Sequence, residues 1–379
     1  MAHLRNRYWT DGTGPSTVRG ATASSATVRR AEEHVQEFTY DALPARIVFG
    51  RGAARSRLAA EVERLGATRL LLVASDRDAE RVRALVAPLR ERVAATFTAV
   101  REHVPVATAE AARALATSVD ADAVLAVGGG STTGAAKAVA LTHRIPVVAV
   151  PTTYSGSEVT AVWGLTDAGR KTTGTDPAVL PRVVVYDPEL TASLPRELAV
   201  ASGFNALAHG VEAFWAPRRN PVSTAVAEEG IAAIGAGLRG DDPADLLRGA
   251  WLTASAFAVA GAGLHHKLCH VLGGTYDLPH ARTHAVVLPH VLAFNAPGAP
   301  DAVARVARAL GVTDAVRGLR ALADATGVPR GLRELGLAED RIEEAAALTE
   351  PAVPDDNPVP VGGGALRRLV RAAWGGEDT

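Results

Sequence analysis

The chain has 379 residues, of which 47% are hydrophobic, and its 40 basic and 41 acidic side chains leave a formal net charge of −1. This length is enough for two cored domains, and the charge balance gives no basic excess of the kind that binds nucleic acid. A single cysteine, Cys269, excludes an internal disulfide framework and fits a cytoplasmic protein, and no apolar run reaches the ~18 residues of a membrane span.

Residues 1–35 are rich in Ser, Thr, Gly and Arg and lack the apolar segment of a secretory signal. They are expected to be a disordered extension, the alternative being an arm that docks on a neighbouring subunit through Tyr8 and Trp9. Strand and helix then alternate. Strands are expected at 45–50, 68–75, 96–100, 122–127 and 146–150, with helices near 53–65, 77–90, 108–119 and 131–142 between them. "TRLLLVAS" is the continuous apolar run of a strand buried on both faces. The alternation predicts a parallel sheet with flanking helices. A hairpin over 160–176, turning at Asp167-Ala168-Gly169, and a last strand at 182–188 follow. From about Leu198 the periodicity is helical throughout. The expected organisation is an α/β dinucleotide-binding domain over 36–195 and an all-α domain over 196–379.

"DAVLAVGGGSTTGAAKAVAL" reads as strand, glycine turn and helix. Gly128, Gly129 and Gly130 let a phosphate approach the backbone, and Ser131 and Thr132 open a helix whose free N–H groups favour an anion. The turn is not the G-x-G-x-x-G fingerprint, and a bare GGGS is also an ordinary tight turn. Its place at the C-terminal edge of a parallel strand points to ligand binding. "PVVAVPTTYSGSEVT" repeats the arrangement one strand later, offering Thr152, Thr153 and Ser157 at the same edge. Tyr154 is either a pocket-lining or a packed residue. After the second strand, Ser75 or Asp76 faces the adenosine ribose, and the choice between NADH and NADPH stays open.

Six of the 11 histidines fall within "HHKLCHVLGGTYDLPHARTHAVVLPH", residues 265–290. Helical spacing puts Asn205 and His209 one turn apart on one face, and His266 and His270 likewise. His280 follows a short loop, whereas His265, His284 and His290 read as packed residues. Of the 40 basic residues only Lys137, Lys171 and Lys267 are lysines, and each lies inside one of these motifs. Where an arginine-rich chain retains lysine, a planar guanidinium is a poor substitute.

"GGGSTTGAAK", "PTTYSGSEVTAVWGLTDAGRKTTGTDP", "SGFNALAHGVEAF" and the histidine stretch together resemble the iron-containing alcohol dehydrogenase superfamily, and within it the maleylacetate reductase branch. The resemblance covers roughly residues 38–379. It implies the dehydroquinate synthase-like/iron-containing alcohol dehydrogenase fold, a nicotinamide cofactor (NADH or NADPH), a homodimer, and a small dicarboxylate or oxo-acid substrate. In the metal-dependent branch an aspartate and three histidines hold Fe(II) or Zn(II), at positions matching Asn205, His209, His266 and His280. Asparagine is neutral, and Gly134 stands where the alcohol dehydrogenases place Asp in "GGGSxxD", so a metal-free pocket is expected. The implied reaction is reduction of maleylacetate to 3-oxoadipate in aromatic-compound degradation. His270 and His209 are the candidate proton donors, His266, His280 and Lys267 bind or polarise the substrate, and Lys171 sits near the nicotinamide.

The sequence departs from that branch at Thr175, where an arginine is usual, and at Arg282, where an acid is usual. An arginine usual near Val359 is also missing. A dianionic substrate depends on such groups. The alternatives that remain are a relative recruited to another substrate or to a non-redox biosynthetic step, a binding protein that keeps the fold, and a metal-dependent alcohol or polyol dehydrogenase.

Overall fold

The computed structural model describes residues 38–377, apart from Pro44, Ala168, Gly169 and Gly363. The expected extension over 1–35, with Tyr8 and Trp9, lies outside the described residues. Strand and helix alternate as β1 (Arg46–Phe49), α1 (Ala53–Arg64), β2 (Leu70–Ala74), α2 (Ala79–Leu85), β3 (Val93–Phe97) and α3 (Val106–Ser118). The series continues as β4 (Ala123–Gly128), α4 (Gly130–His143), β5 (Val147–Pro151), the hairpin β6 (Val162–Asp167) and β7 (Arg170–Thr175), and β8 (Val183–Tyr186).

Two boundaries differ from expectation. The helix expected over 77–90 stops at Leu85, because Pro88 in the following short turn cannot continue it. The third strand lies at 93–97, not 96–100: its alternating exposure is that of an edge strand, which leaves a weaker apolar signal.

Six strands form one sheet in the order β1-β8-β5-β4-β2-β3, with every neighbouring pair parallel. β2, β4, β5 and β8 are buried along their whole length. This accounts for their unbroken Leu, Val and Ala runs. The chain leaves β2 outward to β3, then returns to β4 on the other side of β2. At such a reversal the crossover connections part, and a crevice opens beyond the carboxyl ends of β2 and β4.

After β8 the chain is helical. A short α5 (Pro188–Thr191) leads to α6 (Arg196–Ala213), α7 (Pro221–Gly240) and α8 (Pro243–Ala260). Then come α9 (Leu264–Tyr276), α10 (His280–Asn295), α11 (Pro300–Leu310), α12 (Ala315–Thr326), α13 (Ile342–Thr349) and α14 (Ala365–Gly375). α6 is buried from Val200 to Ala213, sandwiched against α7, α8 and α10. A helix buried all round carries polar groups only where something partners them. That makes Asn205, His209 and Glu212 on α6 conspicuous. Among the described residues no helix is long and apolar enough to cross a membrane.

Candidate active site

At the cofactor end, β4 ends in Gly128, Gly129 caps α4, and Gly130 and Ser131 form its first turn. No side chain caps this helix, so its leading N–H groups point into the crevice, as a phosphate site requires. A Cβ on Gly128 would come within 2.4 Å of Thr132 Oγ1, and one on Gly129 within 3.0 Å of Thr153. The second loop is tied to the first: the N–H of Thr152 donates to Gly128 O at 3.0 Å. Ser157 opens a short turn further along the same loop. Asp76 follows β2 at the same sheet edge and is exposed. Lys171 stands on β7 opposite Thr166. Tyr154 is a core residue, 1% exposed, so of its two readings the packed one holds. A Cβ on Gly134 would lie 2.7 Å from Val104 Cγ2, so Val104 takes the space of an aspartate there.

The cofactor loop reaches the histidines through Gly156, whose φ of 74° suits glycine. A Cβ there would lie 2.5 Å from Ala254 Cβ and 3.2 Å from His209 Cε1. His209 on α6 stacks on His266 of α9, with ring centroids 5.1 Å apart, and Phe257 of α8 covers both. His270 lies 6.2 Å from His266 and 6.5 Å from His280, so α9 and the start of α10 bring the predicted histidines together. Lys267 follows His266 and is half-buried. Asn205 lies one turn before His209 and is 4% exposed.

Burial divides the cluster. His209 and His266 are buried, and the loss of water pushes His209 down to about 4 and His266 well below the usual histidine range. Both are neutral imidazoles at neutral pH. His270 and His280 are exposed. Behind them His265 and His284, each fully buried, share a 2.9 Å Nε2···Nδ1 hydrogen bond, with Cys269 Sγ 3.7 Å from His265.

One residue of the site escaped the sequence reading. Glu212 on α6 is fully buried and accepts from His265 N at 2.7 Å and His266 N at 3.4 Å. It also accepts from His266 Nδ1. It thereby caps α9 and fixes the His266 tautomer, leaving Nε2 a bare lone pair. Burial raises Glu212 to about 7 despite these bonds. The available signal was its position three residues after His209 in an otherwise apolar stretch.

Asn205 Oδ1, His209 Nδ1 and His266 Nε2 are buried with no hydrogen-bond partner among the described residues. Each such atom costs roughly 1–3 kcal/mol, so three in one place mark a site that takes a ligand. Asn205, His209, His266 and His280 offer a donor set that differs by one carboxylate from the one the resemblance implies for a metal. The set is an amide and three imidazoles, and the carboxyl beside it is Glu212, which holds His266 Nδ1 from behind. Among the described residues, His265, Cys269 and His284 also bring one ligand atom each within 4.8 Å of one another.

Two departures from the resemblance are placed. Arg282 is ion-paired with Glu197 on the first turn of α6, both partly exposed. Thr175 is exposed at the end of β7, opposite Val162.

A parallel sheet presenting two polar loops to a helical histidine cluster defines an oxidoreductase working with a nicotinamide cofactor. The comparisons with known proteins carry this further. The profile described as iron-containing alcohol dehydrogenase matches residues 44–188, and that of the Fe-containing alcohol dehydrogenase family, C-terminal, matches 199–374. The chain belongs to the iron-containing alcohol dehydrogenase family. It is 47% identical to a maleylacetate reductase of Sphingobium indicum, over 89% of this chain and 98% of that protein. Solved crystal structures are similar as well. An iron-containing alcohol dehydrogenase from Corynebacterium glutamicum has a TM-score of 0.88 at 46% identity, covering 91% of this chain and 98% of that one. A maleylacetate reductase from Agrobacterium tumefaciens has a TM-score of 0.85 at 39% identity, covering 91% and 100%.

Proposed function

We propose that this enzyme reduces maleylacetate, or a closely related unsaturated oxo acid, to the saturated 3-oxo acid at the expense of NADH or NADPH. The observation that carries the reading is the contact of the cofactor loop with His209 at Gly156. It joins the loop assigned here to the cofactor to the buried, neutral imidazoles of His209 and His266. The nicotinamide, when bound, would supply a hydride to the alkene carbon remote from the ketone, the pair of the double bond becoming a substrate enolate. A proton added to the carbon next to the ketone would then form the second C–H bond and restore the ketone.

Each residue has a role in this scheme. The glycine turn, Ser131, Thr152, Thr153 and Ser157 hold the pyrophosphate and the nicotinamide end, and Asp76 takes the adenosine ribose. Lys171 stands near the nicotinamide. His209 and His266, being neutral, serve as hydrogen-bonding groups, with Asn205, to orient the substrate oxygens. His270 supplies the proton, because it is exposed to water at the edge of the cluster, beside His266 and His280. His280 and Lys267 hold a carboxylate. No step requires a metal, and the functional enzyme is a homodimer of cytoplasmic type.

The test is loss of NADH absorbance with freshly generated maleylacetate, with and without a chelator. Rapid, chelator-insensitive oxidation is expected. Tight NADH binding without turnover would discard the substrate, and loss of activity in chelator would discard the metal-free reading.

A further inference from the structure

Lys137 stands on α4, two turns after the glycine turn, and is 1% exposed. Its Nζ donates to Thr160 O at 2.8 Å, Thr160 Oγ1 at 3.0 Å and Val162 O at 2.8 Å. Three acceptors use all three donors of an ammonium group. Arginine would bring five donors in a plane to three acceptors gathered round a point. This is a physical reason for a lysine in a chain that uses arginine almost everywhere else.

The acceptors belong to the junction between the second cofactor loop and β6. On the far side of that junction Glu158, fully buried, accepts from Tyr186 OH of β8 at 2.9 Å and from Ser155 Oγ at 3.2 Å. The hairpin beyond is held again where Thr166 Oγ1 donates to His103 O at 2.8 Å and its N–H to Val104 O at 3.1 Å. β7 then runs against α9, the helix of the histidines. Burial pushes the Lys137 ammonium down to about 7, so keeping it there costs stability that an apolar contact would not. Three directed bonds fix the path of a chain where an apolar contact only holds it near.

We propose that Lys137 is a positioning residue that locks the Ser155–Val162 loop and the root of the β6–β7 hairpin onto the phosphate-binding helix. It thereby sets the hairpin's approach to the nicotinamide and to α9. The inference rests on the nicotinamide reading of the crevice.

The test compares wild type, Lys137→Met and Thr160→Val in NADH binding, steady-state kinetics and amide hydrogen exchange. Lys137→Met should weaken NADH binding by roughly 10-fold or more and raise KM for NADH more than it lowers kcat. Exchange over residues 157–175 should accelerate while β4 and β5 stay protected. Thr160→Val, which removes one acceptor, should move each readout the same way by about 3-fold; it decides alone if Lys137→Met does not fold. Unchanged NADH affinity and hairpin exchange in a folded variant would overturn the proposal. So would a drop in Tm with NADH affinity intact, which would make Lys137 merely structural. A wild type that binds neither NADH nor NADPH would instead remove the underlying reading.

Discussion

The two ends of this site are built from different materials. At the cofactor end the working groups are main-chain N–H groups exposed by glycines, where an added Cβ would meet a neighbour at as little as 2.4 Å. At the other end the working groups are side chains on buried helix faces, and burial decides their state. Backbone sites hold the same charge at any ordinary pH. Buried imidazoles trade stability for a fixed neutral form. The histidine end is therefore where the molecule should be sensitive to acid.

The largest expected effect follows from that contrast. An unfolded histidine takes up a proton near 6.5, but in the fold burial lowers His209 to about 4 and His265 to about 3. His266 and His284 are lowered in the same sense. Their stabilisation is complete above pH 6.5 and is lost as the pH falls toward 4, at up to about 1.4 kcal/mol per pH unit for each group. Glu212 opposes this, because its folded value is raised to about 7. Its contribution is full below about pH 4.5 and is lost as the pH rises toward 7. Glu158, fully buried and raised in the same sense, adds to Glu212; four histidines outweigh two carboxyls, so Tm should fall between pH 6.5 and 4.5. A flat Tm over that range would mean that the imidazoles are not buried as neutral groups.

Next in size is Glu212→Ala, which strands the N–H groups of His265 and His266 and the Nδ1–H of His266 in a dry interior. A loss of about 3–5 kcal/mol in urea unfolding is expected. Turnover should fall by roughly 100-fold as His266 loses its tautomer. Wild-type turnover in a folded variant would show that the His266 tautomer does not matter. A smaller effect tests the junction of the two ends. Gly156→Ala puts a Cβ 2.5 Å from Ala254 in a left-handed conformation, at a cost of roughly 1–3 kcal/mol. Because His209 is the other neighbour, KM for the oxo acid should rise as well. A fall in stability alone would separate Gly156 from the substrate pocket.

The difference in material also explains what the sequence revealed. Fully buried strands such as Leu70–Ala74 and Ala123–Gly128 announce themselves as apolar runs, and the glycine turn is contiguous, so the sheet and its cofactor edge were readable along the chain. The edge strand Val93–Phe97 was misplaced by three residues because half of it faces water. The i, i+4 spacing placed His209 and His266 on helix faces, but spacing carries no information on burial. It could not distinguish neutral His209 from exposed His270, although both were candidate acids. Glu212 was missed because its partners, His265 and His266, lie more than fifty residues away in sequence. The retained Lys137 was visible as an anomaly of composition, but its three acceptors depend on where the chain goes after β5.

Arg282 gives the smallest expected effect and the sharpest test of how a dianion is held. By sequence it is a cation gained two residues after His280, in a place that suits a substrate carboxylate. In the fold it is 42% exposed and paired with Glu197, itself 70% exposed, across the first turns of α10 and α6. An exposed pair of this kind contributes about 0–1 kcal/mol, and a cation already facing a carboxylate is a weak partner for a second one. Arg282→Ala should therefore leave stability within about 1 kcal/mol and KM for the oxo acid within roughly 2-fold. Glu197→Ala sharpens the comparison, because it frees the guanidinium without removing it. If the pair only neutralises Arg282, that variant should bind the dianion more tightly than wild type, with a salt dependence that wild type lacks. A KM that rises 10-fold or more in Arg282→Ala would instead place the guanidinium on the substrate. The Glu197 pair would then be a resting contact that the substrate displaces.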